Sequence, residues 1–232
     1  MMWTTWTAIA VCASACTGDL DPEWQLDHTR IIAVRATPPS IAPGETSTLD
    51  GALGTKGAQV SFAGPEAATV VSPASLAGAL SFQNGAWTVT APSEDKLAAA
   101  RTELKLAAGA PVPLTIGISY DHQTLVGTKA VLLGTHADNP TLNNVMLDGQ
   151  PAPASDSQVV IHKIGHTPLS VDADDVLFDV TWLTSCGTMH DFDLPTAYVK
   201  IEGDDPLTGQ LGVVLRDSHG GVAWQFWPAV AQ

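Results

Sequence analysis

Val176-Leu177-Phe178-Asp179-Val180-Thr181-Trp182-Leu183 sets Val176, Phe178, Val180 and Trp182 at every second position. Successive side chains on a β-strand point to opposite faces, so this spacing gathers four large apolar groups on one side. The same period recurs in Ala86-Trp87-Thr88-Val89-Thr90, where Trp87 and Val89 alternate with threonines as in a half-buried strand.

Working outward, strands are predicted at 29–36, 45–53, 58–63, 68–71, 112–120 and 125–133, then at 142–147, 157–164, 197–201, 210–216 and 222–227. Pro38, Pro39, Pro43-Gly44 and Asp148-Gly149 punctuate the turns. Strands about ten residues apart with turn signals between them predict an all-β sandwich. One helix is expected, with Ser93 as N-cap, Glu94 and Asp95 in its first turn, and helix formers from Lys96 to Leu106. The strand pattern breaks at Thr135-His136-Ala137-Asp138-Asn139-Pro140, which sets the expected boundary between domains at 29–134 and 135–232.

The 232 residues suit one or two domains, and 45% hydrophobic with 15% charged residues is a globular composition. After the N-terminus no apolar run reaches the ~18–20 residues of a membrane span. The formal charge is −14, from 10 Lys+Arg against 24 Asp+Glu. That balance offers no basic footprint for nucleic acid and no polybasic patch for anionic headgroups. Residues 135–232 hold 13 of the acids and 3 of the bases, so most of the excess falls in the second half.

Residues 1–15 carry no charge and read as the apolar core of a signal peptide. Ala13-Ser14-Ala15-Cys16 resembles a bacterial lipobox, in which small residues precede a cysteine that is lipidated and becomes the new N-terminus. Cys16 is thus the expected lipidation site, with 16–28 as a short tether to a membrane. Removal of Cys12 and acylation of Cys16 would leave Cys186 as the one thiol, so no internal disulfide is expected.

Three stretches invite chemistry. Cys186-Gly187-Thr188-Met189-His190-Asp191-Phe192-Asp193 follows a strand as a loop, and Cys186 with His190, Asp191 and Asp193 offers ligands for copper or zinc. The same Cys/His pair would also serve a Cys-dependent hydrolase as nucleophile and base. The plainer alternative is a buried free cysteine beside a surface loop. Asp138, Asn139, Asp172, Asp174 and Asp175 are candidate calcium ligands in loops, although 172–175 lacks the Gly and closing Glu of an EF-hand. His162 and His166 are four residues apart on a predicted strand, roughly 13 Å at about 3.3 Å per residue, too far to share an ion unless the chain bends at Gly165. Gly-x-Ser-x-Gly, phosphate-loop and His-Glu-x-x-His motifs are absent from the sequence.

The segment Ile31-Ile32-Ala33-Val34-Arg35-Ala36-Thr37-Pro38-Pro39-Ser40-Ile41-Ala42-Pro43-Gly44-Glu45-Thr46 resembles the opening strands of bacterial immunoglobulin-like domains. With the lipobox and Val213-Val214-Leu215-Arg216-Asp217-Ser218-His219-Gly220-Gly221-Val222-Ala223-Trp224, the chain resembles sequence-predicted envelope lipoproteins of myxobacteria and their relatives. The resemblance implies an all-β fold of two tandem immunoglobulin-like sandwiches with one short helix in the first. The resemblance carries no established activity and no functional residues. A non-enzymatic role in the cell envelope with an unnamed protein partner is expected, and Thr17 after the cysteine favours the outer membrane where sorting follows the enterobacterial rule.

Overall fold

The computed structural model describes residues 22–173 and 177–232. Cys16 and the leader before it, with Asp174, Asp175 and Val176, lie outside the described residues. Nine strands build the first sandwich: β1 (Arg30–Thr37), β2 (Ser40–Ile41), β3 (Thr46–Gly54), β4 (Ser61–Ala63), β5 (Ala67–Ser72), β6 (Leu80–Gln83), β7 (Ala86–Thr90), β8 (Val112–Tyr120) and β9 (Leu125–Leu133). One sheet runs β1-β3-β7-β6, with β4 also on β3, and faces a second of order β2-β9-β8-β5. The first strand is split: β1 pairs antiparallel with β3, whereas β2 crosses over to pair parallel with β9.

The second sandwich contains β10 (Asn143–Leu147), β11 (Gln150–Pro151), β12 (Val159–Ile161), β13 (Thr167–Asp172), β14 (Phe178–Thr184), β15 (Thr188–His190), β16 (Thr196–Lys200), β17 (Thr208–Asp217) and β18 (Val222–Ala231). Its sheets are β11-β10-β13-β16-β15 and β12-β18-β17-β14, and β12 again pairs parallel with β18. Both units therefore have the immunoglobulin strand order, with first, second, fifth and fourth strands facing third, sixth and seventh. The chain is all-β, with two tandem immunoglobulin-like sandwiches.

Alternation fills each core. Leu114, Ile116, Val131 and Leu133 are fully buried in the first sandwich, and Trp182, Val199, Val213 and Trp227 in the second. A third apolar cluster joins the two: Leu26, Ile32, Ala33 and Ala52 meet Leu183, Val214, Val222 and Phe226. This seam explains the continuous run Leu211-Gly212-Val213-Val214-Leu215. Val213 and Leu215 face the second core while Val214 faces the seam, so both sides of β17 are covered. A bulge between Ile31 and Ala33 does similar work on β1, leaving Ile31 and Val34 against the first core and Ile32 and Ala33 in the seam.

The helix α1 (Glu94–Leu104) starts after Ser93, whose side chain makes no capping bond. Leu97 and Ala100 pack inward, and Lys105 ends the helix in the left-handed conformation at φ 57°. The expected strand 58–63 is shortened to Ser61–Ala63 by a turn in which Gly57 takes φ 69°. Residues 22–28, expected as tether, are instead held on the body. Trp24 packs against the second core, Leu26 is 3% exposed, and Thr184 makes two main-chain bonds of 2.9 Å with the segment, accepting Leu26 N–H and donating to Trp24 O. The cause is the apolar alternation of Trp24 and Leu26, which costs free energy if left in water.

Candidate functional site

The seam is where the two sandwiches bring most of their unusual chemistry together. On β1 and β4, the strands flanking β3, Arg35 is paired with Asp50 and Phe62 with Ala52, so their side chains stand on the same face. Trp224 of β18 sits between them. The Arg35 guanidinium carbon is 4.1 Å from its ring centroid, and the Phe62 ring lies 5.9 Å away at an interplanar angle of 12°. Arg35 is fixed by two bonds to the Asp50 carboxylate at 2.6 and 3.1 Å.

Below this stack, each sandwich lends a shielded cation to the other's backbone. Lys129 Nζ on β9 donates to Gly220 O, and Arg216 Nη2 on β17 donates to Ile32 O at 3.0 Å. Arg216 also donates to Thr181 Oγ1 at 2.9 Å. Their partners are carbonyl and hydroxyl oxygens, not carboxylates. Burial pushes the Lys129 amine down to about 8, Asp217 and Asp50 opposing the shift and Arg216 adding to it. Burial lowers Arg216 as well.

Asn139, a candidate calcium ligand by sequence, lies at the junction between the sandwiches. In the structure its Nδ2 donates to Ala36 O at 2.9 Å and its Oδ1 accepts Val222 N–H at 2.8 Å, so the amide bridges β1 and β18 as a peptide group would. Asp138 is an exposed side chain 3.5 Å from His136 Nε2. Asp172 accepts a bond from Asn144 Nδ2 at 2.5 Å.

Cys186 is fully buried in the second core, directly after β14. Its main-chain N–H bonds Thr184 Oγ1 at 3.0 Å, and desolvation raises its thiol above the usual range. The stretch after it is part strand, not all loop, because Thr188–His190 pairs with β16. Met189 points into the core, so its neighbour His190 falls on the outer face, stacked on Tyr198 at 4.6 Å. Asp191 takes φ 55° in the following turn, and Asp193 lines a separate cleft with Arg30 and Asp179. His162 turns to Asp148, Nε2 to Oδ2 2.9 Å, while His166 meets the Tyr198 ring at 5.4 Å. Among the described residues, no three His, Cys, Asp or Glu side chains gather to hold one ion. No helix among them is long and apolar enough to cross a membrane.

No family model and no curated protein matches the chain. Among solved structures, the tandem immunoglobulin repeats of Dlar are similar over 86% of this chain and 97% of theirs, at 10% identity and a TM-score of 0.29. Murine CEACAM1b is similar over 88% of this chain and 100% of its own, at 9% identity and a TM-score of 0.27. Protocadherin gamma B2 extracellular cadherin domains 1–5 are covered over 40%, at 13% identity and a TM-score of 0.27. The immunoglobulin-like assignment rests on the strand order above and not on these likenesses.

Proposed function

We propose that this chain is a non-enzymatic envelope lipoprotein of the kind its sequence resembles, anchored through an acyl group on Cys16 and presenting two joined sandwiches to another envelope protein. The observation that carries the reading is the seam. A hydrophobic cluster, a ring stack and two cross-donated cations make one block of the sandwiches, as suits a protein that holds or spaces partners. With the chain bonded to β14 from Trp24 onward, the tether to Cys16 is short, and the block stays near the membrane.

A sheet edge is the contact mode we favour. β5 pairs with β8 alone, its sequence Ala67-Ala68-Thr69-Val70-Val71-Ser72 carries no charge, and Val71 is 59% exposed. Such an edge can take up a partner's strand through main-chain bonds. Crosslinking in native envelopes followed by mass spectrometry tests the reading. Crosslinks from the β5 edge to one recurrent envelope protein, with a lipidated N-terminal peptide, are expected. A soluble, unlipidated protein with no recurrent neighbour would sink it.

A further inference from the structure

A groove of about 540 Å³ opens where β4 of the first sandwich meets β18 of the second. Phe62, Trp224 and Phe226 form its aromatic wall. Phe62 is 56% exposed and lies nearly parallel to the Trp224 ring behind it, which holds it as a flat, rigid platform. Apart from Val60 and Pro228, the remaining lining is polar: Gln59, Gln210 and Gln225, with Ser155 and Asp156.

Two of the amides are already oriented. Gln210 Oε1 accepts Val60 N–H at 2.6 Å, and Gln225 Nε2 donates to Pro153 O at 3.2 Å. The opposite atoms, a donor on Gln210 and an acceptor on Gln225, have no protein partner among the described residues. The groove thus offers preset donors and acceptors beside an exposed ring.

That lining selects its ligand by chemistry. An anion would meet the Asp156 carboxylate, no lining Lys or Arg, and a chain of formal charge −14. A hydrocarbon would strip water from the amides and hydroxyl without replacing their bonds. A sugar ring has a C–H face that lies flat on an aromatic ring and a rim of hydroxyls that both donate and accept. The volume lies within the roughly 300–1,000 Å³ of small-molecule sites. We propose that the groove binds a neutral carbohydrate, one pyranose unit stacked on Phe62 with its hydroxyls bonded to Gln59, Gln210 and Gln225. The inference stands apart from the anchor and the protein partner: crosslinking can succeed where sugar binding fails, and the reverse.

The test titrates the full chain, in a detergent without a sugar headgroup, with neutral hexasaccharides of α- and β-linked glucose, of N-acetylglucosamine and of mannose. Tryptophan emission and calorimetry read binding. At least one is expected to bind saturably at millimolar concentration or below. Phe62→Ala, compared at a temperature where circular dichroism shows both proteins folded because the ring also belongs to the seam stack, is expected to weaken it at least about tenfold, and Gln59→Ala, outside the stack, by a smaller factor. The proposal is overturned if no member binds at millimolar concentration, or if binding survives both substitutions unchanged. It is equally overturned if a proline-rich peptide binds the groove and none of the sugars does.

Discussion

The Arg35 guanidinium carbon lies 4.1 Å from the centroid of the Trp224 ring, and the two residues belong to different sandwiches. Phe62 closes the stack, so the ring is gripped by the first sandwich while its backbone belongs to the second. Truncation of Trp224 to Ala should cost about 2 kcal/mol, less than a fully buried tryptophan because the ring is only partly buried. Urea unfolding should then separate into two transitions in place of one, as the sandwiches lose their coupling. A single transition at an unchanged midpoint would show that the stack contributes nothing.

Lys129 gives a pH dependence whose sign is opposite to that of a salt-bridged lysine. Its amine ionises near 8 in the folded chain, against 10.5 in the unfolded, because burial disfavours the charge. The unfolded chain therefore binds the extra proton between those values, and stability rises with pH from about 8. Tyr120 works against this above about pH 10, since burial raises its phenol and the folded state resists ionising it. Below pH 8 the shielded charge costs on the order of 3 kcal/mol. Replacing Lys129 by Met, with the loss of its bond to Gly220, should raise stability at pH 7 by about 2 kcal/mol and flatten the profile between 8 and 10. Chemical denaturation across that range decides it.

Gly212 on β17 has no room for a side chain. A Cβ there would fall within contact of Phe226 Cδ1 and Cε1, in the seam. Gly212→Ala should force that ring outward and destabilise the protein by about 1–3 kcal/mol through overpacking. Gly78→Ala, with no atom near the added Cβ and no left-handed φ, serves as the control. A loss at 212 no larger than at 78 would contradict the packing account.

Cys186 should behave as core. With the thiol buried and pushed above its ordinary range, a thiol probe at neutral pH should react only as fast as the protein opens. Rapid labelling of the folded protein would instead mark a reactive site. Elemental analysis of the wild type and of Cys186→Ser should find no near-stoichiometric metal in either, because Cys186 lies in the core and His190 on the outer face.

The long strands could be read from pattern because their alternation survives any neighbour: 112–120 and 125–133 were expected with the bounds they have. Short edge strands could not. Ser40–Ile41 and Thr188–His190 exist only because a partner strand runs beside them, and pairing is not a local property. Thr167–Asp172 was hidden by Pro168, which reads as a breaker; it is tolerated because β10 has already ended at Leu147 where Pro168 would need a partner, and Asp148 N–H bonds its carbonyl. The seam left one trace in the sequence, the unbroken apolar run 211–215 that signals a strand covered on both faces. The Asn139 amide oxygen has the chemistry of a metal ligand in the sequence, and the fold sets it to accept Val222 N–H, a contact that pattern does not encode.

The main-chain bonds between residues 24–26 and Thr184 have a mechanical meaning. The segment bridges β14 in parallel and then enters β1, so a pull on the chain ahead of Trp24 meets the second sandwich through those bonds and the first through the backbone. The attachment behaves as a bolted joint, and the two bodies share tension where a free hinge would let one swing.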